Sequence, residues 1–135
     1  MDFSEYATDT REVQFVLPNG VKSGFHLTLR YESAPEVQAV NKKFRHKFME
    51  AQRKGKRGNQ DKITDQLELE RAVAHVAGWR FEKDSEMTWK GERPKFSEKL
   101  LREMLDHGEA GIVLKEFITE EVGDASDFLG SLNEA

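Results

Sequence analysis

Between residues 11 and 31 apolar side chains fall on every second position, twice over, and this alternation constrains the fold more than any other feature. Val13, Phe15 and Leu17 form the first set, and Phe25, Leu27, Leu29 and Tyr31 the second, with Pro18-Asn19-Gly20 between them. A period of two places each set on one face of a pleated strand. Two such runs around a Pro-Asn-Gly turn predict an antiparallel hairpin whose loop exceeds two residues. A lone hairpin with one greasy face is marginal in water, so the rest of the chain must cover it.

The remaining periodicity is helical. Ser33-Ala34-Pro35-Glu36 reads as a helix start, with Ser33 as cap, Glu36 completing a capping box and Pro35 in the first turn. Val37, Val40, Phe44, Phe48 and Ala51 then recur at steps of three and four, and Gly55-Lys56-Arg57-Gly58-Asn59 ends the run in a polar loop. A second helix is expected over 61–77, burying Ile63, Leu67, Leu69, Ala72, Val73, Val76 and Ala77, with Gly78 as its stop. A loop over Glu82–Pro94 turns at Lys90-Gly91. Ser97 caps a third helix carrying Leu100, Leu101, Met104 and Leu105, with Phe96 placed to staple against Leu101, and His107-Gly108 breaks it. A last helix over about 110–122 carries Val113, Leu114, Phe117 and Ile118. The expectation is an α+β fold, an N-terminal antiparallel β-hairpin packed on a bundle of about four α-helices. At 135 residues the chain suits one domain, taken as 11–122. Residues 1–10 stand outside it as a disordered stretch, and 123–135 as an acidic mobile tail.

Several function classes lose their footing in this sequence. There is no cysteine, hence no thiolate nucleophile, disulfide or Cys-based zinc site, and a reducing cytoplasm is compatible with that. His26, His46, His75 and His107 are scattered, and none makes the spacing that aims two metal ligands from one helical face. No Gly-x-Ser-x-Gly occurs, and Gly55-Lys56-Arg57-Gly58 lacks the spacing that wraps backbone N–H groups around a phosphate. No apolar run is long enough for a membrane helix, and the acidic start Met1-Asp2-Phe3-Ser4-Glu5 is not expected to act as a secretory signal. The expectation is a non-enzymatic protein without catalytic, cofactor or metal residues.

Charge is segregated along the chain. Between residues 42 and 57 stand eight bases, Lys42, Lys43, Arg45, Lys47, Arg53, Lys54, Lys56 and Arg57, against the single acid Glu50. From Glu109 onward there are seven acids, among them Glu120, Glu121, Asp124 and Asp127, against the single base Lys115. Such segments are ordinarily solvated helix faces. Read functionally, they are complementary surfaces that could meet within one chain, between copies or with partners, and such patches steer encounter more than they tighten it. The basic helix 42–57 also suits phosphate, so a nucleic-acid-associated module is the alternative. The net charge of −4 and the placement of Phe44 and Phe48 on the apolar stripe count against it. Trp79 and Trp89, near Phe81 and Phe96, read first as a plug for a small core and second as exposed anchors for a partner.

The carboxy-terminal half resembles a known family. The run Ala72-Val73-Ala74-His75-Val76-Ala77-Gly78-Trp79, then Trp89-Lys90-Gly91-Glu92-Arg93-Pro94-Lys95-Phe96-Ser97-Glu98, Leu100-Leu101 and the pair Phe117-Ile118, is similar to the tail assembly chaperones of lambda-like long-tailed bacteriophages. The resemblance covers about residues 70–122 and otherwise extends only to the layout of a hairpin before a charged helix. It implies a protein of the host cell cytoplasm, absent from the mature virion, that binds the tape measure protein and keeps it from aggregating. It also implies recruitment of the tail tube protein, a homo-oligomer of spiral form in some members, and no cofactor. Trp79, Trp89, Gly91, Pro94, Phe96 and Ser97 match the family's pattern, and most are expected to be structural.

Overall fold

The computed structural model describes residues 10–55 and 60–134, with side chains followed as far as Gly123. It is an α+β fold. Strands β1 (Thr10–Val16), β2 (Lys22–Arg30) and β3 (Val76–Phe81) form one antiparallel sheet in the order β1-β2-β3. Helices α1 (Pro35–Arg53) and α2 (Gln60–His75) separate β2 from β3, and α3 (Glu98–Leu105) and α4 (Gly108–Glu134) follow.

The hairpin forms as its alternation requires. Phe25, Leu27 and Leu29 on β2 are at most 2% exposed, and Val13 of β1 stands opposite Leu27. Leu17 and Val21 close the loop through a 2.9 Å backbone bond, and Gly20 takes φ +84°, a left-handed conformation that a side chain would resist. A bulge interrupts the pairing between Gln14 and Val16. There the buried Ser23 hydroxyl donates to the Phe15 carbonyl at 2.6 Å and accepts from Phe25 N–H.

The third strand is a correction to the helix expected over 61–77. That helix ends at His75, and Val76 and Ala77 belong to β3, with Gly78 and Trp79 inside the strand. The reason lies across the sheet. In an extended conformation Trp79 and Phe81 land opposite Leu27 and Phe25, so both aromatics join the face that the hairpin already offers. Phe81 stacks on Phe25 at 4.6 Å between ring centroids, and Trp79 meets Phe25 edge-on at 5.7 Å. Burial of these rings against a ready sheet outweighs one more turn of helix.

Two caps differ in outcome. Ser97 caps α3 by accepting from Leu100 N–H at 3.1 Å, as its position predicts. Ser33 does not cap α1. The cap is Ala34, which makes no side-chain bond, and Pro35 supplies the preset first turn. Helix α4 extends to Glu134, beyond the expected end near 122.

One core lies between the apolar face of the sheet and the helices α2, α3 and α4, with Ala72, Val73, Leu101, Met104, Leu105, Leu114, Ile118 and Val122 facing Phe25, Leu27 and Leu29. The corner from α3 to α4 turns at Gly108 (φ +54°), and Gly111 then crosses closely over α3. Helix α1 stands apart from this core. Its buried residues Val37, Phe44 and Ala51 pack chiefly on α2, so α1 and the first half of α2 form a helical arm. Glu32 fastens the base of the arm, meeting Arg71 at 2.8 Å and the buried His75 at 3.1 Å. Arg30 donates to the carbonyls of Ala74 and Val76.

Candidate functional site

The sequence singled out bases and acids, and the fold places some of each on two outward helix faces. On α1 the stripe Val37, Phe44 and Ala51 turns inward, with Val40 and Phe48 half-buried beside it. At 100° per residue the opposite face is then Lys42, His46, Met49 and Arg53, and all four are exposed. Met49 is 61% exposed, a large apolar side chain in the middle of a charged row. His46, Met49, Glu50, Gln52 and Arg53 line an open groove of about 500 Å³ there.

Lys42, Lys43, Arg45 and Lys54 are exposed as well and make no ion pair with a described residue. Among the described residues Arg53 pairs with Glu50 alone, at 3.9 Å on its own helix, a pair so exposed that it contributes little. The ammonium groups of Lys43 and Lys47 lie 5.9 and 4.7 Å from the Phe44 ring centroid, within cation–π range, so these two charges sit against the edge of the seam. Phe44 is buried and Phe48 half-buried on the α2 side, so neither ring is presented for stacking on a base. Lys56 and Arg57 lie outside the described residues.

On α4 the inward stripe is Gly111, Leu114, Ile118 and Val122. The outward face is Glu109, Ile112, Glu116 and Glu120, all exposed, with Ile112 at 48% the apolar centre of an acidic row. Glu120 makes no ion pair with a described residue, whereas Glu121 turns toward β1 and accepts from Arg11 at 3.1 Å. The side chains of Asp124 and Asp127 lie outside the described residues. Among the described residues no ion pair joins the α1 bases to the α4 acids, so the two rows do not meet within the chain.

Met49 and Ile112 were missed from sequence. Both sit off the helical stripes that mark the core, and projection of each helix on a wheel would have found them.

The tryptophans hold the loop over 82–97 on the core. Trp79 donates its indole N–H to the Pro94 carbonyl at 2.9 Å and meets Phe96 edge-on at 4.9 Å. Trp89 packs against the core and against His107, and its indole N–H is buried without a hydrogen-bond partner among the described residues. Its backbone exchanges two hydrogen bonds with Glu92 around Lys90 (φ +52°) and Gly91 (φ +81°), a tight hairpin turn. Beneath it the buried Ser85 donates to the Ser23 carbonyl, and Arg93 donates to the Ser85 carbonyl.

A second polar group lies on the outer face of the sheet. Arg80 grips Glu12 with three hydrogen bonds of 2.7–3.1 Å, and His26 sits between Glu82 at 2.8 Å and Glu12 at 3.5 Å. The Arg80 hydrogen bonds hold the Glu12 carboxyl below the usual glutamate range and raise the Arg80 guanidinium. These bonds cross-link β1, β2 and β3. Among the described residues, no three His, Asp or Glu side chains converge to hold a metal ion, and no helix is long and apolar enough to cross a membrane.

Comparison of the chain with models of protein families, with curated proteins and with solved structures returns no match.

Proposed function

We propose that the protein is a non-catalytic assembly chaperone that covers an apolar helical polypeptide with the outer face of its α1–α2 arm. The observation that carries this reading is the row Lys42, His46, Met49 and Arg53, in which a solvent-exposed thioether stands between two bases, Lys42 and Arg53, that no described residue holds in a strong ion pair. A methionine adapts to irregular apolar surfaces, and the surrounding charges steer encounter without demanding one fixed geometry. Covering of this kind is reversible and weakens with salt.

The resemblance of residues 70–122 to tail assembly chaperones of long-tailed bacteriophages supplies the client. On that reading the protein acts in the cytoplasm of an infected cell and does not enter the virion. It binds the tape measure protein, prevents its aggregation and promotes growth of the tail tube around it, with several copies gathered on one client. The alternative, a nucleic-acid-associated module, draws on the same bases, but the α1 aromatics lie on the side that packs on α2.

The test is co-expression with a tape measure protein, reading the soluble fraction of that client. Wild-type protein is expected to keep it soluble in a salt-sensitive complex, and a Met49→Glu variant to lose that ability while remaining folded. A client that aggregates equally with and without the wild-type protein would remove the reading.

A further inference from the structure

We infer that the arm's outer face is also the docking site for the α4 helix of a second copy, with Met49 of one chain against Ile112 of the next. The inference deepens the proposed function by naming what occupies the arm before a client does, and it rests on that reading only for the arm's role. The two faces match in four respects. Each is the solvent side of a helix, each carries one exposed apolar residue, that residue is flanked by charge, and the charges are opposite.

Their spacing matches as well. Lys42 lies seven residues before Met49 and Arg53 four after it, while Glu120 lies eight residues after Ile112 and Glu109 three before it. At about 1.5 Å of rise per residue, an antiparallel crossing centred on Met49 and Ile112 sets Lys42 opposite Glu120, and Arg53 opposite Glu109, with offsets agreeing to about 1.5 Å. His46 then faces Glu116. A parallel crossing would instead pair His46 with Glu109 and Arg53 with Glu116, and would leave Lys42 and Glu120 unmatched.

Because the described bases of α1 and acids of α4 do not meet within one chain, these residues leave both an arm face and an α4 face available on each copy. The contact joins unlike surfaces, so it propagates head to tail into a ring or an open chain. One helix pair is a small interface, which makes the association weak and easily exchanged for a client.

The test uses two variants of the full chain, one with Lys42→Ser, Arg45→Ser and Arg53→Ser, the other with Glu109→Ser, Glu116→Ser and Glu120→Ser. All six positions are exposed, and circular dichroism confirms folding. Sedimentation equilibrium over a concentration series is expected to show wild-type protein growing in mass. Each variant alone should associate about tenfold more weakly or worse. An equimolar mixture should form a heterodimer and stop there, because only one intact arm and one intact α4 face remain to meet. Variants that associate as well as the wild type would overturn the contact, as would a mixture that stays monomeric. Wild-type protein that remains monomeric up to about 1 mM would overturn it too. None of these results touches the client-solubility assay, so the two readings fail separately.

Discussion

Replacement of Phe44 by alanine tests whether the arm is a separate unit. The ring is 1% exposed, and its neighbours on the same stripe, Val37 and Ala51, are buried without joining the core that holds the sheet to α3 and α4. Truncating a buried phenylalanine costs about 3–5 kcal/mol, made up of lost transfer energy and the cavity left behind. A domain of this size has about 5–15 kcal/mol in total. If the loss were shared by the whole molecule, every protected amide would lose protection together. If the seam between α1 and α2 opens on its own, the loss stays local. The structure favours the local outcome, since α1 packs chiefly on α2, and only the second half of α2 enters the core. Hydrogen exchange read by mass spectrometry should then show residues 37–53 exchanging about 150- to 5,000-fold faster in the Phe44→Ala variant. Amides of β2 and of α4 from Leu114 to Val122 should keep their wild-type protection. Equal acceleration in α1 and β2 would refute the reasoning and make the arm part of one cooperative unit.

Other substitutions separate sterics, backbone strain and charge. A Cβ on Gly111 would lie 2.2 Å from the Leu105 carbonyl oxygen, so Gly111→Ala should force the α3–α4 corner apart and cost about 3 kcal/mol in denaturant unfolding. Gly91→Ala meets nothing within 4 Å but must hold φ near +81°, so its cost should be about 1 kcal/mol, from strain alone. Glu12 titrates below the usual glutamate range because Arg80 hydrogen-bonds it, so the stabilisation is present above the unfolded-state pKa and is lost as pH falls through the lowered folded-state value. Arg80→Met should therefore flatten the acid limb of stability against pH in thermal melts, without changing the slope near neutrality. Glu32→Ala leaves the buried His75 and the Arg71 guanidinium without their carboxylate, and should lower stability by about 2 kcal/mol in urea titration.

The hairpin and the α1 stripe were legible in the sequence because each rests on a local period that burial enforces on one face. The third strand was not. Ala72 to Ala77 is a run that suits a helix or a buried strand equally, and what decides it is Phe25 and Leu27, some fifty residues away in sequence and opposite Phe81 and Trp79 in the sheet. Ser33 misled for a related reason, since Pro35 already fixes the first turn of α1 and Ala34 takes the cap. For the candidate site, composition located the bases and acids but not their centres. An exposed Met49 and an exposed Ile112 differ from core residues only in which side of the helix they occupy, and that emerges once the buried side is known. The networks around Glu32 and Glu12 join residues from separate strands and helices, which no spacing along the chain encodes.

The most direct measurement is oxidative footprinting of Met49, with Met104, 4% exposed in the core, as the internal standard. In dilute protein without client, Met49 should oxidise rapidly and Met104 slowly. With a tape measure protein bound, Met49 should become protected, and high salt should restore its reactivity, while Met104 stays unchanged throughout. Equal oxidation of Met49 with and without bound client would contradict the claim that the arm's outer face is where this protein meets other polypeptides.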